Sequence, residues 1–417
     1  MFDLDRFQEI WVTITRNKVR SLLTGFGVFW GIFMLVIMLG AGQALERGMM
    51  QNIDGFATNS CFFMPNRTSL PYKGFQKGRR WFMHNRDVDM LRQLIPELDC
   101  LSPVLFRGND PDNVVFDDNA GTYSVMGLHA NYVEIEQQRI EQGRFINDID
   151  ILQSRKVCVI GTKVYEELFP TKNNPIGQYI RVYGIYYQVI GVASGVSDIQ
   201  LFGSSEESVT IPFTSLQKLN HQGDIIHMLA ATPKPGYSIV SLEARIKEVI
   251  QTNNKIHPED MQAIFSFNLE EAFNQINYLF IGIAILIWIV GFGMLFAGII
   301  GVNNIMMITV KERTKEIGIR RALGAKPRTI LGQIIMETLV LTSIAGLSGL
   351  SFGVLCLHLA DVYWLQKAED VFLSNPTISF GTAISSAIVL LICGLFASSV
   401  PASRALRIKA IDAIREE

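Results

Sequence analysis

The stretch Lys311–Arg328, KERTKEIGIRRALGAKPR, decides the fold because it separates two long apolar runs. It holds seven basic and two acidic residues, and it follows 39 residues, Ala272–Val310, that contain no Asp, Glu, Lys or Arg. An uncharged helix that ends in a basic segment is typical of a membrane span that ends on the cytoplasmic side. Lipid retention alone does not require Ile317, Ile319 and Leu323 to alternate with those charges. The pattern therefore favours an element that docks on a cytoplasmic partner, and a loop that only fixes orientation is the alternative.

The composition lies between that of a soluble protein and that of a wholly embedded one. Of 417 residues, 49% are hydrophobic and only 18% are charged, whereas about 25% are charged in average soluble domains. The net charge of −2 argues against a nucleic-acid partner, because no basic surplus exists to neutralise phosphates. Four segments exceed the roughly 20 helical residues that a span requires. The predicted transmembrane helices are residues 21–45, 276–310, 330–358 and 378–401.

Lys and Arg near the span ends predict the orientation. The N-terminal flank, the 311–329 segment and the 402–417 tail are all basic, whereas the 359–377 loop contains Lys367 as its single basic residue. Both termini are therefore predicted to be cytoplasmic, and residues 46–275 to form an extracytoplasmic domain. Residues 1–20 carry an apolar stripe at helical spacing and predict a cytoplasmic amphipathic helix at the membrane surface. The first span is too long for a cleaved signal peptide.

The extracytoplasmic domain shows alternating short strands and helices, with a strand-helix-strand order at each end. The strand-rich middle, roughly residues 107–221, is predicted to be an outer lobe inserted into a lobe built from the two ends. Three cysteines fall in this domain, Cys61, Cys100 and Cys158, and their scattered odd number favours buried free thiols. A Cys61–Cys100 disulfide is the alternative.

Motifs for chemistry are sparse. The sequence contains no GxxxxGK[ST] phosphate-binding loop, no HExxH and no CxxC, so neither ATP hydrolysis nor metal binding by this chain is expected. Within the predicted spans the single acidic residue is Glu337. We interpret it as a carboxylate that pairs with nearby basic residues, which is favoured over a role in transport.

Two segments beside the spans resemble the MacB/FtsX superfamily of ABC transporter permeases. They are Lys315–Ala325, KEIGIRRALGA, after the second span, and Arg16–Gly31, RNKVRSLLTGFGVFWG, before and within the first. Three external stretches resemble the periplasmic core domain of the MacB branch, and the C-terminal stretch resembles that family's closing segment: Gly143–Phe145, Asn174–Gly177, Val189–Val192 and Pro401–Ile414. The resemblance covers essentially the whole length.

The resemblance implies an α-helical membrane protein with four transmembrane helices and a large α+β extracytoplasmic domain of two lobes between helices 1 and 2. It implies a homo- or heterodimer of permease copies in the inner (cytoplasmic) membrane, in contact with lipid and with a cytoplasmic ABC ATPase dimer. ATP and Mg would bind that ATPase, whereas this chain would be non-catalytic and bind no cofactor. Because the first span begins about twenty residues from the start, the ATPase is expected on a separate polypeptide. A periplasmic adaptor and an outer-membrane channel are further partners that the resemblance allows.

In this family ATP hydrolysis is thought to move the extracytoplasmic domains, by mechanotransmission, and so to export a substrate. Alternatives within the superfamily are a regulatory complex that controls a cell-wall hydrolase and a lipoprotein-release permease. A membrane-anchored receptor is a remote alternative. The resemblance assigns ATPase coupling to one run of residues: Glu316, Ile317, Gly318, Ile319, Arg320, Arg321, Ala322, Leu323, Gly324 and Ala325.

Overall fold

The computed structural model describes residues 18–53, 55–108, 110–169, 174–196, 204–365 and 380–407. The predicted amphipathic helix of residues 1–20 lies almost entirely outside these ranges, as do most of the 359–377 loop and the end of the 402–417 tail. The chain divides into two compact units, one formed by residues 1–49 with 278–417 and the other by Met50–Asn277.

The described part of the first unit is mainly helical, and the second unit contains shorter helices between its strands. In chain order they are α1 (Lys18–Ile53), α2 (Asn85–Leu94), α3 (Asp148–Leu152), α4 (Thr162–Leu168), α5 (Phe213–Asn220), α6 (Ile239–Asn253), α7 (Leu269–Glu312), α8 (Thr314–Ala322), α9 (Pro327–Ala360) and α10 (Phe380–Arg407). A π-helical turn, Asp361–Leu365, extends α9. Within the described residues, α1, α7, α9 and α10 contain segments long and apolar enough to cross a membrane. The uncharged run lies wholly inside α7, whose 44 residues extend about 66 Å at 1.5 Å per residue.

Glycines allow the long helices to pack closely. A Cβ placed on Gly298 of α7 would lie 3.0 Å from the carbonyl carbon and oxygen of Gly27 on α1. On α9, a Cβ at Gly349 would crowd the carbonyl of Phe29, and one at Gly353 would crowd Val36, both on α1. Small residues at such crossings bring backbones together in helix bundles. These glycines therefore serve packing within the chain.

One stretch of α9 has the spacing of a hydrolase nucleophile elbow. Gly349-Leu-Ser351-Phe-Gly353 matches GxSxG, but that motif requires a sharp strand-to-helix turn to expose its serine. Here all five residues lie inside the continuous helix α9. The match therefore has no catalytic meaning.

The second unit is built around a large sheet. The strands are β1 (Cys61–Pro65), β2 (Met83–His84), β3 (Leu98–Arg107), β4 (Val114–Phe116), β5 (Asn119–Gly121), β6 (Ser124–Leu128), β7 (Gln138–Gly143), β8 (Val157–Gly161), β9 (Tyr179–Val182), β10 (Ile185–Gly195), β11 (Ser208–Pro212), β12 (Ile225–Ile226), β13 (Met228–Pro233) and β14 (Ile264–Asn268). Twelve of them form one sheet in the order β14-β1-β13-β3-β6-β11-β8-β10-β9-β4-β5, with β7 beside β10, while β2 and β12 pair separately.

Strands from the two ends of this unit interleave, as the sequence predicts. The early strand β1 lies between the late strands β13 and β14, and β13 pairs in turn with β3. The long strand β3 pairs with β13 up to Val104 and then, over Leu105–Arg107, with β6 of the middle block. The sheet thus runs from the end strands into the middle block through β3, and a division into two lobes stays a prediction.

The three cysteines of this unit are buried free thiols. The disulfide between Cys61 and Cys100 is excluded because β13 lies between their strands. Two strand spacings place their backbones about 9–10 Å apart, beyond the limit of roughly 7 Å for a disulfide. The two side chains also belong to different apolar clusters, on opposite faces of the sheet. Burial raises the pKa of the Cys100 thiol to about 12, which keeps it protonated and unreactive.

Candidate functional site

The segment singled out in the sequence folds into a short helix, α8, and a tight turn that leads into α9. The turn is held by two backbone hydrogen bonds: the amide of Ala325 donates to the carbonyl of Arg320 at 3.0 Å, and that of Gly324 to Arg321 at 3.1 Å. This pairing is the Schellman motif, which requires a left-handed residue after the helix. Gly324 supplies it with φ +93°. The orientation of α8 relative to α9 is therefore fixed by the backbone.

The helix α9 begins immediately after this turn. Lys326 is its N-cap residue in an extended conformation, and Pro327 occupies the first helical position. Proline is favoured there because its fixed φ suits the helix and its missing N–H would be unpaired in any case. The sequence thus encodes both the end of α8 and the start of α9, with two residues between Gly324 and Pro327.

The inner face of α8 is held by apolar packing. Ile317 is only 8% exposed, and it belongs to the same apolar cluster as Val310 of α7 and as Ile330 and Ile334 of α9. Gly318 beside it is also buried. We call Ile317 and Gly318 the inner face, and their burial attaches α8 to the adjoining helices.

Polar contacts reinforce this attachment. Arg313, between α7 and α8, forms an ion pair with Glu337 of α9, with 3.3 Å between Nη1 and Oε2. The Glu337 side chain is 11% exposed, so the pair is largely shielded from water. Arg320 of α8 donates from Nη1 to Gln333 of α9 at 3.0 Å and pairs through Nη2 with Glu316 at 2.9 Å. The interpretation of Glu337 as a paired carboxylate is confirmed.

The outer face of α8 is apolar, and none of the residues that the structure describes covers it. Ile319 is 47% exposed and Leu323 is 83% exposed, and Ala322 between them is exposed too. Positions three and four apart share one side of a helix, so these three residues form a continuous patch, the outer strip. Exposed lysines stand on either side of it in sequence, Lys315 and Lys326.

The ten predicted coupling residues do not lie on one continuous surface, and their role in coupling stays a prediction. Ile317 and Gly318 face inward, Arg320 is bonded to α9, and Ile319, Ala322 and Leu323 face outward. Sequence reasoning missed Arg313 and Gln333 as residues that hold α8, and it did not identify Arg313 as the partner of Glu337. Glu337 lies 24 positions beyond Arg313, and no short-range spacing signals such a pair.

Among the described residues, no group of three or more His, Cys, Asp or Glu side chains is arranged to hold a metal ion. A cavity of about 40 Å³ lies between α8 and the ends of α7 and α9, lined by the ion pairs just described. The helix α8 is thus attached to α7 and α9 on one side and exposed, among the described residues, on the other.

The described chain therefore combines four long apolar helices, an α/β domain between the first and second of them, and the short helix α8 between the second and third. The sequence matches the MacB-like periplasmic core domain family over residues 21–249 and the FtsX-like permease C-terminal family over residues 288–410. The first match alone spans more than half of the chain. The chain therefore belongs to the MacB/FtsX family of ABC transporter permeases.

Several curated relatives match along nearly all of this chain. It is 27% identical to the uncharacterized ABC transporter permease YknZ of Bacillus subtilis, over 97% of both sequences. It is 28% identical to the pyoverdine export ATP-binding/permease protein PvdT of Pseudomonas putida, over 99% of this chain and 60% of that protein. It is 25% identical to the macrolide export ATP-binding/permease protein MacB of Bdellovibrio bacteriovorus, over 99% of this chain and 62% of that protein. The chain thus spans about three fifths of the last two relatives.

Two solved structures that are similar to about half of this chain are external regions of related proteins. The periplasmic region of MacB from Actinobacillus actinomycetemcomitans shares 16% identity, covering 55% of this chain and 97% of that one, with a TM-score of 0.44. The extracellular domain of YknZ shares 15% identity, covering 50% of this chain and 100% of that one, with a TM-score of 0.41. The family assignment rests on the sequence matches alone.

Proposed function

We propose that this chain is the membrane subunit of an ATP-driven export complex and that the outer strip of α8 docks on a cytoplasmic ABC ATPase. The observation that carries the proposal is Leu323, 83% exposed on a helix whose position is fixed by the Gly324 turn and by buried contacts. Burying one leucine in a partner contributes about 1.5–3 kcal/mol. Flanking lysines would add electrostatic attraction, which mainly raises the association rate.

ATP and Mg would bind the partner. The 417-residue sequence has no phosphate-binding loop, whereas PvdT and MacB are both named as ATP-binding/permease proteins and extend well beyond the region that this chain matches. Their names also support export as the direction of transport. A second permease copy would complete the membrane part of the complex, in the inner membrane, with both termini and α8 on the cytoplasmic side.

Mechanical transmission would follow from the continuity of α7. This helix starts at Leu269, directly after β14 of the extracytoplasmic domain, and ends at Glu312, two residues before α8 begins at Thr314. Closure of the ATPase would displace α8, and the Arg313–Glu337 pair and Ile317 would pass that displacement to α7 and α9. Movement of the extracytoplasmic domain would then drive the substrate outward.

The decisive experiment is co-purification of the ATPase with permease variants. Leu323→Asp should place an unpaired carboxylate in the docking interface and abolish the complex, while membrane insertion and thermal stability of the permease stay normal. The matched control is Thr329→Asp, which adds the same charge at an exposed position six residues along the same segment. Complex formation by Leu323→Asp at the level of the control would overturn the proposal.

A further inference from the structure

A separate cavity of about 400 Å³ lies at the opposite end of the helix bundle from α8. It is bounded by the last turns of α1, the first apolar turns of α7 and the start of α10, where α1 and α7 continue into the extracytoplasmic domain. Cavities of about 300–1,000 Å³ with apolar walls and a few polar groups are the usual form of small-molecule sites.

The walls of this cavity are apolar and well supported. Leu39 of α1 is 8% exposed and Ile287 of α7 is 6% exposed, and Ile283 and Trp288 pack against the same cluster. Gly42 of α1 contributes no side chain, and a Cβ there would lie only 3.1 Å from Cδ1 of Ile287. The width of the cavity therefore depends on a glycine at this position.

The polar groups of the cavity include a single ionisable one. Glu46 of α1 is the only charged residue in the lining, beside the amide of Gln43 and the hydroxyl of Ser385. Glu46 is exposed, and among the residues that the structure describes no cation pairs with it. The indole of Trp288 lies in the same lining, and aromatic faces attract cations, indole most strongly.

We propose that this cavity binds a cationic amphiphile, with its amine at Glu46 and its apolar part along Leu39, Ile283 and Ile287. The negative charge at the mouth selects against anionic amphiphiles, and an uncharged acyl chain would gain no electrostatic attraction from it. Cationic amphiphiles would then be a substrate class of the export complex. That role as cargo rests on the proposed function, whereas binding of the amphiphile to the cavity does not depend on it.

The test uses the full chain in one-copy nanodiscs of phosphatidylcholine and three dansyl probes of similar size. Dansylcadaverine carries an amine, N-pentyl dansylamide is neutral, and dansyl-aminohexanoate carries a carboxylate. Energy transfer from tryptophan to dansyl reports binding, and Trp288→Phe identifies the share due to Trp288 among the five tryptophans. We expect saturable energy transfer with the amine probe and no saturable transfer with the carboxylate probe. The neutral probe should bind about tenfold more weakly than the amine, a difference of about 1.4 kcal/mol.

Two variants distinguish the contribution of the Glu46 charge to binding from that of the cavity's shape. Glu46→Gln should weaken binding of the amine about tenfold, the equivalent of about 1.4 kcal/mol, and leave the neutral probe unchanged. Ile283→Trp should fill the cavity and abolish binding of both, with unfolding temperature as the check on its fold. Glu271→Gln, which neutralises an exposed carboxylate outside the cavity lining, is the matched control and should bind like the original chain.

Equal binding of the three probes, or an unchanged amine affinity in Glu46→Gln, would overturn the proposal. Transfer that never saturates and equals that of the surrounding lipid would mean that lipid fills the cavity, and it would overturn the proposal too. Binding in one-copy but not two-copy nanodiscs would assign the cavity to contact between copies instead. Since no ATPase is present, failure of α8 docking would leave these results unaffected.

Discussion

The inner and outer faces of α8 carry similar residues at helical spacing, yet their surroundings differ sharply. Ile317 is 8% exposed among residues of α7 and α9, whereas Ile319, two positions on, is 47% exposed. One isoleucine holds the helix to its own chain, and the other is available to a partner. The segment thus has one face that attaches it to its own chain and one that is exposed among the described residues, and each should respond to a different set of substitutions.

The largest expected effect is a difference in the free energy of unfolding between substitutions on the inner face and on the outer strip. Ile317→Asp should destabilise the chain by about 3 kcal/mol or more, because it removes a buried side chain and leaves a charge without a partner. Ile319→Asp, the matched control on the outer strip, should stay within about 0.5 kcal/mol of the original chain. Thermal unfolding in detergent, followed by intrinsic fluorescence, measures both. Similar losses in the two variants would remove the distinction between the faces.

A second prediction tests the polar attachment without altering the outer strip. Glu337→Ala leaves Arg313 without its partner and should cost about 1.5–3 kcal/mol, the usual contribution of a hydrogen bond to a charged group. Arg313→Glu and Glu337→Arg should each destabilise, and the double charge swap should recover part of the loss, as a double-mutant cycle of unfolding free energies would show. Strictly additive losses would mean that the pair contributes nothing to holding α8.

The smallest effect concerns the turn. Gly324→Val should cost about 1–2 kcal/mol, because β-branched residues resist a positive φ, and should shift the outer strip enough to weaken ATPase binding. Nothing lies within 4 Å of a Cβ at Gly324, so the cost comes from the backbone alone. Gly324→Asn should be milder, since asparagine tolerates this conformation. Gly332→Val, in an equally open helical position of α9, is the control; a matching loss of binding there would disprove the role of the turn.

Periodic and strongly apolar features of the fold were accessible from the sequence. The four apolar helices appear where uncharged length places them. Short elements of mixed composition were missed, namely the helices α3 and α5 and the strand β7. Their few residues bear too little periodicity to distinguish them from loops, and tertiary contacts decide their conformation.

The candidate site was located from the sequence but not resolved by it. Charge and spacing predicted a docking element within Lys311–Arg328, and the family resemblance assigned coupling to residues 316–325. Which isoleucine faces inward depends on where α7 ends, and α7 ends at Glu312, only two residues before α8 begins. Likewise, Glu46 is a candidate binding residue only because it lines the same cavity as Trp288, which belongs to another helix. Such juxtapositions arise from packing between distant segments, and local patterns do not encode them.

The three buried thiols of the sheet have a consequence for biogenesis. Under the proposed topology Cys61, Cys100 and Cys158 reach an oxidising compartment while the chain is still unfolded, yet all three are free in the finished domain. The domain therefore needs no oxidase to mature, and mispaired disulfides are hazards of its folding rather than steps in it. Closure of the sheet is what removes the sulfurs from oxidants. Slow-folding variants should accordingly accumulate as crosslinked species that a reductant rescues, although the native protein contains no bond for a reductant to break.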